Sequence, residues 1–255
     1  MKFELVIDSK PTEVVIALLK EGRLIELHKQ KHDNNYSVGD IYLGKIKKIV
    51  PGLNAAFVGV GHEKDGFLHY LDLGSQLNSF KKFTDKTREK KLNTASLKNF
   101  RKEKDTIREG KIQDVVKSGD HLMLQVSKEP ISSKGPRLST ELSFAGRYMV
   151  MIPFSDRVSI SQKIKSSEEK SRLKKLIHSI KPKGFGVIIR TVAEGKKVAE
   201  LDTDMKNLYK KWQIIFKKLK TANLNERIHG EMNRSSVILR DLLNSGFSKI
   251  HVNSP

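Results

Sequence analysis

Four short apolar segments separated by glycine-bearing turns constrain the fold of this chain more than any other feature of its sequence. The segments are IYLGKIKKIV (41–50), LNAAFVGV (53–60), GFLHY (66–70) and HLMLQVSK (121–128). Short strands joined by turns that contain glycine are typical of a small closed β-barrel of the OB type. The sequence therefore predicts such a barrel, with a long interruption between its third and fourth strands.

Further strands are predicted on both sides of this barrel. Residues 3–8 and 13–30 have the composition of strands, with a hairpin turn at Glu21-Gly22-Arg23. Residues 148–154 and 184–191 are apolar runs that indicate buried strands in a second unit. The chain is thus predicted to contain several sheets.

Two amphipathic helices are predicted in the second unit. The first begins with a capping-box pattern from Ser166 to Glu169 and is stopped by Pro182. The second has an apolar stripe that includes Trp212, and this spacing indicates a core residue. The last 20 or so residues predict a helix followed by a strand. Together these elements predict an α+β chain of more than one domain.

The balance of charges points to a polyanionic partner. Lysine and arginine number 49 against 29 acidic residues, which gives a net charge of +20. Because self-repulsion on this scale destabilises a compact chain, the predicted partner is a nucleic acid, ahead of an acidic membrane surface. No apolar run approaches the ~20 residues that span a bilayer, and the first residues lack the apolar core of a signal peptide. A cytoplasmic protein is predicted.

Residues 78–117 interrupt the barrel with few aliphatic side chains and many lysines. This composition predicts a long, partly disordered basic loop, with a transient helix near 97–108. Two roles fit the pattern about equally well, a solvated spacer and a second arm that contacts RNA.

The sequence carries no recognisable catalytic motif. Phosphate-loop and nucleophile-elbow motifs are absent, and Gly59, Gly61 and Gly66 miss the dinucleotide-binding spacing by two residues. The eight histidines lack metal-ligand spacing, and the absence of cysteine excludes disulfides, thiolate catalysis and cysteine-based zinc sites. No catalytic residue, metal site or cofactor is predicted within this chain.

Binding residues are easier to nominate than catalytic ones. Phe57 and Phe67 lie on neighbouring barrel strands beside lysines, where exposed rings stack on single-stranded bases and contribute about 1–3 kcal/mol per base. The pattern alone fits a stacking role and a core role equally well for each ring. Arg190 and Thr191 end an apolar strand, where a guanidinium fork and a hydroxyl suit a terminal phosphate.

Taken together, these segments resemble the ribonuclease E/G family of bacterial RNA-processing endonucleases. The resemblance runs over nearly the whole chain in order and rests on four stretches. They are IYLGKIKKIVPGLNAAFVGVGHEKDGFLHY, SSKGPRLSTELSFAGRYMVMIP, GVIIRT and HGEMNRSSVILRDLL.

The resemblance implies an architecture. An RNase H-like subdomain is expected in two parts, at 1–36 and 235–255. An OB barrel of the S1 class is expected at 37–137, including the basic insertion, and an α/β domain that senses the RNA 5′ monophosphate at 138–234.

The resemblance also implies site residues. Phe57, Phe67 and Lys134 match RNA-contacting positions of the barrel, which favours stacking for both rings. The positions that match the 5′-phosphate pocket are Gly146, Val150, Arg190 and Thr191, with backbone amides of the 146–150 stretch closing it.

Two features depart from the family pattern: the insertion is long, and Gln162-Lys163 stands where better-known members carry two arginines.

The function expected from this resemblance is the RNA-binding, 5′-end-sensing N-terminal portion of a single-strand-specific endoribonuclease that acts in RNA processing and decay. The catalytic aspartates, and the Mg²⁺ that they bind, are expected beyond residue 255, so this chain alone is expected to be inactive. Homo-oligomerisation is compatible with the family for the full-length protein. The alternative is a non-enzymatic OB-fold RNA-binding protein, for example one associated with the ribosome.

Overall fold

The computed structural model describes residues 2–31, 36–231, 234–242 and 247–253. The strands, in chain order, are β1 (Phe3–Ser9), β2 (Glu13–Lys20), β3 (Arg23–Lys31), β4 (Ile41–Val50), β5 (Ala55–Gly59), β6 (Gly66–His69), β7 (His121–Lys128), β8 (Arg137–Ser139), β9 (Phe144–Ala145), β10 (Met149–Pro153), β11 (Val158–Ile160), β12 (Phe185–Ile189), β13 (Glu226–His229) and β14 (Phe247–Val252). The helices are α1 (Leu77–Arg88), α2 (Ile112–Val115), α3 (Ser167–Ile180), α4 (Val198–Leu219) and α5 (Arg234–Leu242). The predicted α+β class is confirmed.

The chain divides into two compact units, one formed by residues 1–35 with 232–255 and the other by residues 36–231. In the smaller unit the strand order is β14-β1-β2-β3, with β14 parallel to β1. The predicted turn between β2 and β3 is a two-residue hairpin turn, in which Glu21 and Gly22 have φ of 51° and 78°. The helix and strand predicted for the tail are present as α5 and β14. The RNase H-like character of this unit stays a prediction.

The larger unit contains the predicted barrel. Five strands follow one another in the order β4-β5-β6-β8-β7, and pairing between β4 and β7 closes the circle. Side chains that point inward, among them Ile46, Val58 and Leu68, are fully buried. A Cβ at Gly44 on β4 would come within 2.7 Å of the Leu124 side chain and 2.8 Å of the Val58 side chain, so a larger residue there would displace them. The closed five-stranded form is consistent with an OB fold.

A four-stranded sheet with the order β11-β12-β10-β9 forms the rest of this unit, together with α3 and α4. The predicted N-terminus of α3 is confirmed, since the Ser166 side chain accepts a hydrogen bond from the Glu169 amide at 3.1 Å. Trp212 is fully buried, as predicted, and its indole N–H donates to the Ala95 carbonyl at 2.8 Å.

The insertion at 78–117 is ordered, and the prediction of partial disorder is wrong. Helix α1 occupies its first part and buries Phe80 and Phe83, whose rings lie 4.7 Å from Phe154 and 4.9 Å from Trp212 respectively. The helix expected at 97–108 is absent, although all of these residues are described.

The physical reason for this difference is that aromatic residues replace the missing aliphatic ones. Their burial partners are Trp212 of α4 and Phe154, directly after β10, both more than 70 residues away in sequence. Composition within the insertion therefore did not reveal them. Lysines of α1 are also paired: Lys81 Nζ lies 2.7 Å from Asp120 Oδ2 and Lys82 Nζ lies 2.5 Å from Glu103 Oε1. The high lysine content therefore does not prevent the segment from packing.

Replacement of Phe83 by alanine tests the packing of α1. Because Phe83 is fully buried against Trp212, we expect Phe83→Ala to lower the free energy of unfolding by about 3–5 kcal/mol. Lys86→Ala, an exposed position on the same helix, serves as the control and should change stability by less than about 0.5 kcal/mol. Equal, small effects of the two substitutions in urea unfolding would contradict the packed helix.

Candidate nucleic-acid interface

Phe57 and Phe67 lie on the outer surface of the barrel. They are directly paired on the antiparallel strands β5 and β6, with ring centroids 5.9 Å apart and planes at 66°. Their neighbours Ala56, Val58 and Leu68 point inward and are fully buried, whereas both phenylalanines are half-buried. Because side chains alternate along a strand, neither ring belongs to the barrel interior. Their role in stacking stays a prediction.

His69 extends this aromatic surface by one more ring. It is two residues beyond Phe67 on β6, and the two ring centroids are 6.4 Å apart with planes at 33°. The His69 Nδ1 atom accepts a hydrogen bond from the Leu71 amide at 3.0 Å, which in the neutral ring leaves the proton on Nε2. His69 was not among the residues predicted from the sequence, although the two-residue alternation from Phe67 indicates its position.

Lysines border the rings on one side. Lys48 on β4 is the register partner of Phe57 and is exposed, as is Lys45. Lys47 is exposed too, and its Nζ lies 2.6 Å from Asp65 Oδ1. On the other side, Arg137 of β8 is the register partner of Phe67. Its guanidinium forms two hydrogen bonds to Asp72, at 2.9 and 3.0 Å, and these raise the pKa of Arg137.

Lys134 lies in a tight turn that leads into β8. The backbone groups of Ile131 and Lys134 bond to each other at 3.2 and 3.0 Å, and the Lys134 side chain is exposed. The next residue, Gly135, packs so closely on the β5–β6 connection that a Cβ would lie 2.2 Å from the Asp65 carbonyl oxygen. The Phe67 amide donates to the Pro136 carbonyl at 2.8 Å. The structure thus places Lys134 on the segment beside the Phe67 strand.

The four residues predicted for the 5′-phosphate pocket come together at one end of the second sheet. Gly146 follows β9, Val150 lies near the start of β10, and Arg190 and Thr191 follow β12. The Arg190 guanidinium donates to the Gly146 carbonyl at 2.8 Å, and the Arg190 amide donates to the Tyr148 carbonyl at 2.9 Å. These bonds fix the arginine at this end of the sheet.

The backbone amides expected to close this pocket have acceptors within the chain. Asp204 of α4 accepts from the amides of Arg147 at 3.1 Å and Tyr148 at 2.8 Å, and the Gly146 amide donates to the Met149 carbonyl at 2.8 Å. A Cβ at position 146 would come within 2.5 Å of the Asp204 carboxylate, so a larger residue there would displace that side chain. The amides of Gly146, Arg147 and Tyr148 are therefore engaged within the chain and are not available to a phosphate.

Ser161 lies between Thr191 and the turn that carries Lys163. No pattern in the sequence predicted its place in this site. Its hydroxyl lies 2.9 Å from the Thr191 hydroxyl, and it also accepts from the Lys163 amide at 3.4 Å. Gln162 and Lys163 are both exposed. The turn that carries Lys163 is thus held beside Thr191, where it adds a positive charge.

Comparison with known proteins identifies relatives of this chain. The sequence profile of the Ribonuclease E/G family matches residues 143–255. Ribonuclease G of Escherichia coli K12 is 32% identical over 254 residues, which cover 100% of this chain and 48% of that protein. Ribonuclease G of Haemophilus influenzae is 32% identical over 251 residues, which cover 98% of this chain and 47% of that protein. The chain belongs to the ribonuclease E/G family.

Ribonuclease E of Synechocystis is a further relative, 33% identical over 219 residues that cover 86% of this chain and 28% of that protein. The chain spans about half the length of the ribonuclease G relatives that it matches. Family membership confirms the resemblance drawn from the sequence. The roles of individual residues stay predictions.

The described residues offer no site that fits the Mg²⁺ expected for the whole enzyme. No three histidine, aspartate or glutamate side chains among them form a group that could hold a metal ion. No catalytic step is therefore assigned to these residues. None of the described helices has the length and apolar character needed to cross a membrane.

Alanine substitution of each outward ring tests the stacking role. We expect Phe57→Ala and Phe67→Ala to weaken binding of single-stranded RNA by about 1–3 kcal/mol each, with little change in melting temperature, because both rings are outside the barrel core. Leu68→Ala is the control: its side chain is fully buried, so it should lower stability by about 2–5 kcal/mol. Unfolding of both phenylalanine variants, or unchanged affinity, would contradict stacking.

Proposed function

We propose that this chain is the RNA-binding and 5′-end-sensing portion of a single-strand-specific endoribonuclease that acts in RNA processing and decay. The observation that carries the proposal is the pair of half-buried rings on the outer barrel surface, Phe57 and Phe67, with the exposed Lys48 beside them. Rings of this kind accept any base on their faces, while neighbouring lysines attract the phosphates. This combination suits single strands, since paired bases are not available for stacking on side chains.

The net charge of +20 supports the same function. Counterions released from a single strand contribute a log–log salt slope of about −0.7 for each phosphate neutralised. Binding through the lysines of β4 and through Lys134 is thus expected to weaken with salt, whereas the stacking contribution persists.

The 5′-end sensor is proposed for the cluster of Arg190, Thr191 and Gly146. A guanidinium carries five N–H donors in a planar fork that matches a phosphate. The bond to the Gly146 carbonyl orients this fork. The Thr191 hydroxyl, which lies 2.9 Å from the Ser161 hydroxyl, is proposed as a further donor. Val150 supplies an apolar wall, and Lys163 supplies charge where the better-known family members are expected to have arginine.

Cleavage of RNA is proposed for the whole protein, with Mg²⁺ supplying the activation of water when it is bound. This chain alone is proposed to bind RNA without cleaving it. A cytoplasmic location and homo-oligomerisation are likewise proposed for the whole protein.

Substitution of Arg190 tests the sensor. We expect a short oligonucleotide with a 5′ monophosphate to bind better than its 5′-hydroxyl form by about 1.5–3 kcal/mol, the range for hydrogen bonds to charged groups. Arg190→Gln should abolish this preference and leave the 5′-hydroxyl affinity nearly unchanged, because the barrel contacts remain. Arg190→Lys should restore part of it, since a point charge cannot form the fork. Equilibrium titration of both oligonucleotides measures the difference.

The control for this test is Arg157→Gln, which removes an exposed arginine just before β11 on the same sheet. It should preserve the preference for the monophosphate. A wild-type chain that binds both ends equally at low salt would contradict the sensor and favour the alternative, a non-enzymatic OB-fold RNA-binding protein.

A further inference from the structure

Residues 98–111, which we name the basic bridge, run between two parts of the larger unit. The bridge is the second half of the insertion, between the end of α1 and the start of α2. Most of its side chains are exposed, yet its backbone is fixed at several points. It is therefore an ordered surface segment.

One end of the basic bridge is fixed to the second sheet. Leu97, just before the bridge, packs on Gly184, where an added Cβ would lie 2.6 Å from the leucine Cβ. Lys102 Nζ lies 2.5 Å from Asp156 Oδ2, and this contact lowers the pKa of Asp156. Gly184 precedes β12 and Asp156 follows β10, so both contacts are at the same end of the sheet.

The other end of the basic bridge is fixed to the barrel beside the aromatic surface. The Tyr70 hydroxyl donates to the Ile107 carbonyl at 2.8 Å. The Asn54 side chain donates to the Gly110 carbonyl at 2.9 Å and accepts from the Ile112 amide at 2.7 Å. Asn54 is three residues from Phe57 along the chain, or about 10 Å along a strand. The C-terminal end of the basic bridge thus lies close to the proposed stacking surface.

Within the basic bridge most positive side chains are exposed, and backbone groups make the anchoring contacts apart from the ion pairs of Lys102 and Glu103. Its cationic residues are Lys98, Arg101, Lys102, Lys104, Arg108 and Lys111, against the acidic Glu103, Asp105 and Glu109. Lys102 and Glu103 are paired with Asp156 and Lys82. Of the other cations, none forms an ion pair with a described carboxylate. Carbonyls of Arg101 and Lys104 accept from Lys82 and Asn78, which holds this row in place.

We propose that the basic bridge is a second RNA surface, which binds the phosphates of a strand that continues past the barrel rings. The proposal rests on the proposed function of the barrel and extends it with a longer binding track. A row of exposed cations on an ordered backbone, without carboxylate partners, is suited to a polyanion. Phosphate binding there releases counterions and breaks no ion pair of the protein. The absence of aromatic side chains in the row after Phe100 fits contact with the backbone of RNA and not with its bases.

The basic bridge is separate from the 5′-phosphate pocket. Its contacts with the second sheet lie at the Pro153 and Phe185 ends of β10 and β12, whereas Gly146 and Arg190 lie at the Met149 and Ile189 ends. Four residues of strand separate the two ends, or about 13 Å. The contribution of the bridge to binding should therefore be independent of the chemical group at the 5′ end.

A four-site variant tests the proposal: Arg101→Gln, Lys104→Gln, Arg108→Gln and Lys111→Gln together. The anchoring bonds at these positions use backbone atoms and are preserved. The probes are oligouridines of about 6 nucleotides, within the site size of one OB barrel, and of about 20 nucleotides. The longer probe should lose at least about tenfold in affinity at about 0.1 M salt, with a log–log salt slope shallower by about 1.4 or more, equivalent to two phosphates.

The shorter probe should bind the variant within about twofold of wild type, because it occupies the barrel alone. The losses should be equal for 5′-hydroxyl and 5′-monophosphate forms of the longer probe. The control removes the same charge from exposed lysines of α3 and α4: Lys174→Gln, Lys175→Gln, Lys210→Gln and Lys217→Gln. The control should retain the affinity of wild type for the longer probe within about threefold, since only general attraction is reduced.

Two outcomes would overturn the proposal. Unchanged binding of the longer probe by the four-site variant shows that the basic bridge does not bind RNA, and equal losses in variant and control show that only net charge matters. A wild-type chain that binds neither probe contradicts the proposed function of the barrel as well. Thermal melting of the four-site variant should match wild type, which confirms that its fold is intact.

Discussion

The first half of β4 is buried on both faces, and the arrangement of the larger unit depends on this strand. Tyr42 and Ile46 point into the barrel, whereas Ile41 and Leu43 pack with Met123 in the core that contains Trp212. The barrel and the second sheet therefore share one strand between two apolar cores. Separating them would expose several fully buried side chains, each contributing about 1.5–3 kcal/mol to stability.

The same strand changes character after Gly44, and this change creates the RNA surface that we propose. Beyond that point Lys45, Lys47 and Lys48 are exposed, and β5 and β6 continue the outer surface with Phe57 and Phe67. One half of β4 thus fixes the barrel, and the other half displays charge. Alternation along β5 and β6 directs Ala56, Val58 and Leu68 inward and the two phenylalanine rings outward.

The pocket at the end of the second sheet combines opposite charges. Asp204 is required for the backbone turn after Gly146, since it accepts two amide bonds there. Its carboxylate is a negative charge close to a site proposed for phosphate. The positive charges of Arg190 and Lys163 offset this negative charge. The proposed pocket therefore depends on side-chain cations more than on the backbone amides of residues 146–148. This arrangement would make the loss of a single arginine costly for phosphate binding.

Local features of the sequence determined where the main elements lie. The strand pattern placed β4 and β7 at 41–50 and 121–128. The turn residues Glu21-Gly22 indicated the β2–β3 hairpin, and the spacing of apolar residues placed Trp212 in the core. These features depend on side-chain alternation and on turn chemistry within a few residues, which a sequence displays directly. The family resemblance also followed from contiguous stretches of residues.

Tertiary structure alone decided which surfaces those elements form. Phe80 and Phe83 order the insertion because Phe154, directly after β10, and Trp212 of α4 cover them, and neither partner is near in sequence. The residue pattern alone left the positions of Phe57 and Phe67 open as core or surface, and only the family resemblance favoured stacking. Barrel closure placed both rings outside. Ser161 and Asp204 reach the proposed phosphate pocket from distant segments. Contacts of this kind depend on how separate elements pack, and a local pattern of residues does not show which distant residues it will contact.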